Sequence, residues 1–240
     1  MKDIKYYLDI ADISLNDSQI DALYTYMDMV IEKNKVMNLT AITDPEEFAL
    51  KHILDSLLIL KYVDIFKEKA EGGATLIDVG TGAGFPGIPL KIACPELKVT
   101  LLDSLNKRVS FLEEVITELG LTRIDAIHSR AEDGARKKEL RDSFDFAVSR
   151  AVANTSTLCE YCMPFVKKDG YFIAYKSGDY KEELANASNA IRLLSGDTPV
   201  VVDALLPESD IQRSFVLIKK KGATPKSYPR KAGTAKRTPL

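Results

Sequence analysis

Residues 78–89 read DVGTGAGFPGIP, an acid and a run of glycines set between two apolar stretches. Glycines at this density let the backbone approach a ligand with no Cβ in the way. A helix opening just behind them adds unpaired N–H donors and a positive dipole end. Any anionic group suits such a place, whether a pyrophosphate or an amino-acid carboxylate. Counted from Asp78, the loop is acid-x-Gly-x-Gly-x-Gly, a form suited to S-adenosylmethionine. Counted from Gly82 to Gly87, it is Gly-x-Gly-x-x-Gly, the dinucleotide form. Asp78, two residues before Gly80, suits a donor's ammonium group and sits poorly beside a pyrophosphate. Phe85-Pro86 fills the helix entrance where a pyrophosphate would lie. Asp103, which ends the next apolar run, can take both ribose hydroxyls of either ligand and does not discriminate. A tight strand-to-helix turn with no ligand is the structural alternative.

Three other places carry candidate chemistry. In Ser129-Arg130-Ala131-Glu132 the last two residues can reach an adenine edge, or Glu132 and Asp133 can simply cap the following helix. In Ser149-Arg150-Ala151 an Arg sits at a strand end. It is costly there unless it meets a carboxylate or phosphate, and a structural ion pair is an equal reading. His52 and Asp55, three apart on a helix, make a polar pair, and a satisfied contact between helices is preferred to a role in shaping a substrate entrance. Cys94, Cys159 and Cys162 are odd in number and widely spaced, which argues against a disulfide framework. With His52 and His128 the only histidines, no metal site is expected, and Cys159-x-x-Cys162 reads as two small core residues.

These groups must be positioned by some framework. A chain of 240 residues can bury one sizeable core. No run is long enough to span a membrane and no signal pattern opens the chain, so a cytoplasmic protein is expected. The net charge of −2 hides an asymmetry: residues 219–240 hold eight basic residues and no acid, leaving −10 for the rest. A basic tail on an acidic body suggests a polyanionic partner; a solvated, mobile end is the plainer reading.

The first 65 or so residues read as helical. Asn16-x-x-Gln19 resembles a capping box, with Leu15 and Ile20 as a hydrophobic staple. A second helix opens at Asp44, with Pro45 at its first position and Glu47 as reciprocal cap, and is expected to reach about Phe66. Residues 68–73 make a turn. Beyond it, apolar strands at 76–79, 99–102, 124–128, 144–149 and 171–176 alternate with helical stretches, which implies a parallel, doubly wound sheet. Strands at 200–205 and 214–219 lie too close together for a parallel crossover and should pair antiparallel at one edge. The expected division is a helical N-terminal extension (1–67), an S-adenosylmethionine-dependent domain (68–221) and a basic tail (222–240).

The segments DVGTGAGFPGIPL, LLDSLNKRVSFLEE, SRAED, VSRAVA and YPRKAGT, in this order, resemble the glucose-inhibited division protein B family, also called ribosomal small-subunit methyltransferase G. MNLTAI and KHILDSL near the N-terminus resemble it too. The likeness covers almost the whole chain; the order of segments is specific, whereas any single segment is not. It implies an α/β, Rossmann-like class I methyltransferase with a mostly parallel seven-stranded sheet and an antiparallel edge strand. It further implies S-adenosylmethionine as methyl donor, no metal, and methylation at N7 of a guanine in 16S rRNA, guanine 527 in the usual rRNA numbering. Carried over by position, Gly80 and Phe85 line the donor, with Gly82 in the same loop. Ala131 and Glu132 fall on the adenine side and Arg150 on the last binding position, while Asp103 fits the ribose role less firmly.

Guanine N7 is an acceptor and carries no proton, so the resemblance implies direct in-line transfer without a general base. The sequence also lacks an Asn/Asp-Pro-Pro-aromatic motif after the fourth strand and a paired Cys nucleophile. A-form RNA hides this edge of the base, so a loop or splayed nucleotide is the expected substrate, on 16S rRNA or on the small ribosomal subunit, with one copy of the chain at work. Lys176, Arg230, Lys231, Lys236 and Arg237 are candidates for RNA phosphates, while 219–221 reads as a solvated strand end. Two rival readings stand beside this one: an NAD-linked oxidoreductase, and a non-catalytic RNA-binding or ribosome-assembly factor.

Overall fold

The computed structural model describes residues 2–150, 153–178 and 180–240. Thr75–Val79 (β1), Lys98–Asp103 (β2), Ile124–His128 (β3), Phe144–Arg150 (β4), Val166–Ser177 (β5), Val200–Leu205 (β6) and Gln212–Lys219 (β7) form one sheet in the order β3-β2-β1-β4-β5-β7-β6. The strands β1 to β5 run parallel. The last two strands form the expected antiparallel hairpin at one edge. The reversed strand, β7, lies inside that edge, between β5 and β6. The order turns back between β1 and β4, and open α/β sheets bind ligands in the crevice beyond the strand ends at such a switch point.

Side chains alternate across the sheet, as the two-residue period of a strand requires. Leu76, Val99, Leu101, Phe146, Val148 and Ile173 enter one buried cluster. Ile77, Val79, Leu102, Ala147, Phe172 and Ala174 enter the other. The first cluster is shared with the N-terminal helices: Leu8, Leu23, Tyr26, Phe48, Leu57 and Phe66 belong to it. The helical residues expected to form an extension are therefore built into the same core as the sheet. The second face is covered by the helices Thr155–Cys162, Lys181–Asn186 and Ser188–Leu193. Cys159 and Cys162 sit fully buried there with free thiols.

The helix signals act where expected, with two differences. The Asn16–Gln19 capping box forms, and the Gln19 amide also donates to the carbonyls of Ile92 and Ala93, tying this helix to the one behind the glycine loop. Asp44 caps the Glu47 N–H with Pro45 next to it, but the Glu47 carboxylate pairs with Lys51 instead of capping in return. The helix that starts there does not run unbroken to Phe66. It passes through a π-helical segment, Ala49–Leu54, continues as Asp55–Leu57 and Ile59–Tyr62, and restarts at Asp64. π turns are rare and concentrate near functional sites; this one carries His52 and leads into Asp55. Among the described residues no helix is long and apolar enough to cross a membrane.

Candidate active site

Two cavities open over the carboxyl ends of the parallel strands. The first, of about 430 Å³, lies over β1, β2 and β3 and is lined by Val79, Gly80, Leu102, Ala131 and Glu132 among others. The second, of about 410 Å³, lies over β4 and β5, with Lys51, His52, Asp55, Arg150, Lys176 and Arg213 in its wall. Both have the size of a small-molecule site.

The glycine loop leaves β1 between them. Gly80 and Gly82 have φ of 72° and 64°, conformations that other L-residues rarely adopt. The Gly80 and Thr81 N–H groups both donate to the Leu102 carbonyl, which fastens the loop to β2. The Gly82 N–H donates to Asp103 Oδ2 at 3.0 Å, while Asp103 Oδ1 takes the Leu105 N–H at 2.9 Å. Asp103 therefore sits at the expected strand end, shaping the turns on both sides.

Asp78 is fully buried beneath the loop. Its Oδ2 accepts from Thr81 Oγ1 at 2.7 Å and from the Gly87 N–H at 2.9 Å. Its Oδ1 has no hydrogen-bond partner among the described residues. Burial raises its pKa to about 7, against the opposing effect of those two donors. Asp78 thus holds the loop first, and keeps one acceptor atom unsatisfied beside it.

From the other side, the N-terminal helices clamp the loop. The Tyr26 hydroxyl donates to the Ala83 carbonyl at 2.9 Å. A Cβ at residue 84 would lie 2.6 Å from Ile88 and 2.9 Å from that hydroxyl, so only glycine fits. Phe85 does not line the first cavity. It is buried against Tyr26, Phe48 and His52, with the His52 ring stacked on it at 4.5 Å and 17°. The Arg150 guanidinium lies over the same Phe85 ring, 4.9 Å from its centre.

Arg150 meets a carboxylate, one of the two partners considered for it. Its Nη1 lies 2.9 Å from Asp55 Oδ2, and its Nη2 is 3.3 Å from His52 Nδ1. Asp55 Oδ1 takes Arg213 Nε at 2.6 Å. Two guanidinium groups thus share one nearly buried carboxylate. His52 Nε2 faces Thr40 Oγ1 at 2.6 Å. Burial, reinforced by Arg150, lowers the His52 pKa to about 3, so the ring is neutral at pH 7. His52 and Asp55 do not bond to each other, as their spacing suggested; Arg150 stands between them as the shared partner. Ala151, next in that motif, lies outside the described residues.

Ala131 and Glu132 open the short helix Ala131–Gly134 and line the first cavity. Glu132 Oε1 accepts the N–H of Gly233, from the C-terminal segment, at 2.8 Å. That contact had no signal in the sequence, because it joins residues 101 positions apart.

The basic residues behave unequally. Lys231, Lys236 and Arg237 are exposed. Arg230 and Lys176, the other two candidates for RNA phosphates, are each paired with a carboxylate of this chain. Arg230 grips both oxygens of the buried Glu160. Lys176 lies 2.5 Å from Glu183 and also reaches the Ala153 carbonyl at 3.2 Å. Residues 219–221 are not simply a solvated strand end either. Lys220 is fully buried, bonding Asp142, Thr224 Oγ1 and the carbonyls of Met163 and Val166. Burial pushes its ammonium pKa down, against the pull of Asp142.

The residues present fit S-adenosylmethionine. An adenosine-sized cavity lies over β1–β3, bounded by Gly80 of the glycine loop and by Ala131 and Glu132, and an acid ends β2. No group of three or more His, Cys, Asp or Glu able to hold a metal occurs among the described residues.

Comparison with known proteins agrees with this geometry. The chain shares its fold with the S-adenosylmethionine-dependent O-methyltransferase of Thermotoga maritima (TM-score 0.52, 16% identity, 82% of this chain and 73% of that one). It is similar in the same way to a transferase of Pyrococcus horikoshii (TM-score 0.52, 13% identity, 65% and 62%). The ribosomal RNA small subunit methyltransferase G of Lachnoclostridium phytofermentans is 52% identical over 95% of this chain and 92% of its own length. That of Clostridium perfringens strain 13 is 46% identical over 99% and 97%. The family model described as GidB, rRNA small subunit methyltransferase G, matches residues 19–211. A glycine loop clamped by N-terminal helices over a switch point thus coincides with a match spanning nearly the whole chain, and the chain belongs to the GidB family of rRNA small subunit methyltransferases.

Proposed function

We propose that this protein transfers the methyl group of S-adenosylmethionine to N7 of a guanine in 16S rRNA, guanine 527 in the usual numbering, by direct in-line attack without a general base. When bound, the donor supplies an electrophilic methyl on a sulfonium. The donor occupies the cavity over β1–β3, with Gly80, Gly82, Asp103, Ala131 and Glu132 around it. The target base enters the cavity over β4 and β5, with Arg150 in its wall, backed by the buried Phe85 ring.

The observation that carries this reading is that the titratable groups of the second cavity are already engaged: the Glu183 carboxylate there takes Lys176 and the Thr155 hydroxyl. His52 has both nitrogens engaged and a pKa of about 3. Asp55 is held between two arginines. The Cys159 thiol is buried, with its pKa pushed up to about 12, so it is no nucleophile. An exocyclic amine would need a proton removed, and carbon methylation would need a covalent partner. N7 needs neither, only alignment. A bare cation would oppose the positive charge that develops on guanine; the pairing of Arg150 with Asp55 offsets it.

RNA phosphates are assigned to Lys231, Lys236 and Arg237, with the chain acting as a single copy in the cytoplasm. Mapping modified guanosines in 16S rRNA from cells with and without the gene tests the reading. A single N7-methylguanosine that disappears with the gene is expected. Loss of an N2- or carbon-methylated base instead would overturn it.

A further inference from the structure

The basic C-terminal segment packs against the second face of the sheet as a strap. It is anchored at its start by the buried Lys220 and by Arg141, which donates to the carbonyls of Thr224 and Tyr228 at 2.9 and 3.0 Å. Arg136 donates to the Pro229 carbonyl. In its middle, Arg230 latches to Glu160 on the helix Thr155–Cys162 through Nε and Nη2, and the Arg230 N–H reaches the same carboxylate at 2.6 Å. At its end the carbonyls of Ala235 and Leu240 accept from Thr157 and Ser156 on that helix. Between latch and end, the chain turns through Gly233 at φ 82° and passes over the first cavity. Gly233 and Lys236 line that cavity together with Gly80, Ala131 and Glu132.

We propose that this strap is a structural wall of the methyl-donor site: Gly233 and Lys236 enclose its adenosine half, and donor binding depends on the Arg230–Glu160 latch. The inference rests on the assignment of the first cavity to the donor and goes beyond it. Glu132 is the joint. The residue is 6% exposed, and the hydrogen bond its carboxylate accepts comes from the strap backbone. A buried carboxylate that loses its donor must recover one or draw in water. Releasing the strap therefore both opens the cavity and removes the donor that holds the Glu132 carboxylate in its wall. Binding energy runs the other way too. A ligand that is enclosed by the strap must stabilise the strap by the same factor that the strap contributes to its affinity.

The geometry predicts which part of the donor senses the strap. The lining residues lie beyond β1, β2 and β3, away from His52, Asp55 and Arg150. The full-length protein is titrated by calorimetry with S-adenosylmethionine and with 5′-methylthioadenosine, which keeps the adenosine and lacks the amino-acid end. Arg230→Gln removes the charge of the latch. Gly233→Val forces a branched residue into a left-handed turn with open space around it, so it perturbs the strap without a core clash. Gly80→Val serves as the control on the donor site, and thermal melts select variants that remain folded.

Both strap variants are expected to lose affinity at least tenfold, by similar factors for the two ligands. In the wild type, either ligand is expected to slow amide exchange across residues 229–237. If folded strap variants bind both ligands like wild type while Gly80→Val does not, the strap proposal is wrong and the donor site stands. Loss confined to S-adenosylmethionine also overturns it, because the strap would then act on the amino-acid end. Normal binding by Gly80→Val overturns the donor site, and the strap proposal with it.

Discussion

Arg150 Nη1 and Asp55 Oδ2 lie 2.9 Å apart, although 95 residues separate them in the chain. The pair joins the π-containing N-terminal helix to the end of β4, and Arg213 from β7 closes on the other oxygen. Three elements thus meet at one carboxylate beside the second cavity. Removing one partner of a nearly buried ion pair leaves the rest uncompensated and costs about 3–5 kcal/mol. Asp55→Asn is expected to lose stability in that range by urea unfolding, with an unchanged denaturant slope. A loss below about 1 kcal/mol would show that the two guanidinium groups are adequately solvated without it.

The loop gives a second prediction. Gly80→Val should abolish donor binding, since its branched side chain projects into the donor cavity that Gly80 lines. At φ 72° it also carries backbone strain of about 1–3 kcal/mol, so the fold should survive with a lowered melting temperature. Asp103→Ala should be milder, weakening donor binding by roughly 1.5–3 kcal/mol for a charge-assisted hydrogen bond. Because Asp103 also holds the Gly82 N–H, the variant should show faster amide exchange in the loop. Calorimetry with wild-type affinity in either variant would remove that residue from the donor site.

Much of this frame was legible in the sequence because it is written locally. The short apolar runs at 76–79 and 99–102, the Asn16–Gln19 box and the short connection between the strands expected at 200–205 and 214–219 each dictate structure through near neighbours. What escaped was long-range and polar. The Glu132–Gly233 and Arg230–Glu160 bonds join segments far apart in sequence, and Glu160 reads there as an ordinary charge on a helix. Lys220 looked like a solvated residue in a basic run, yet it is a core anchor, because Asp142 and three other acceptors converge on it from different elements. The π segment at 49–54 leaves no signature in apolar spacing, since both faces of that helix are buried.

Asp78 predicts a pH dependence of stability. Its folded pKa, about 7, lies above the ordinary carboxylate value near 3.8. Between these values the unfolded chain has released the proton while the folded protein retains it. Stability therefore falls as pH rises through this window and levels off above about 7. Asp78→Asn keeps an acceptor for Thr81 and Gly87 and does not titrate. The stability of wild type relative to this variant should decline from pH 4 to 7, with a ceiling of about 4 kcal/mol. A difference that is flat with pH would mean that Asp78 is ionised throughout.

The basic residues of the strap divide into two groups, and salt separates them. Lys231 and Arg237 are exposed and unlatched, whereas Arg230 is bound to Glu160. If the first two meet RNA phosphates, removing both should weaken RNA binding with little effect on base choice. It should also reduce the log–log salt slope by about 0.7–0.9 for each phosphate that is no longer neutralised. Their charges do not line the donor cavity, so donor affinity should hold and activity should recover in part at low salt. Adding Lys236→Ala should flatten the slope further, and it is the one of the three expected to touch donor affinity, because Lys236 lines that cavity. Arg230→Ala should do the reverse. It leaves Glu160 buried and unpaired, so it should lower the melting temperature while the salt slope of the remaining folded protein stays near wild type. RNA affinity measured at several salt concentrations, with donor affinity and melting in parallel, decides the matter. An unchanged slope in the Lys231/Arg237 double variant would take the strap off the RNA and leave it a purely structural element.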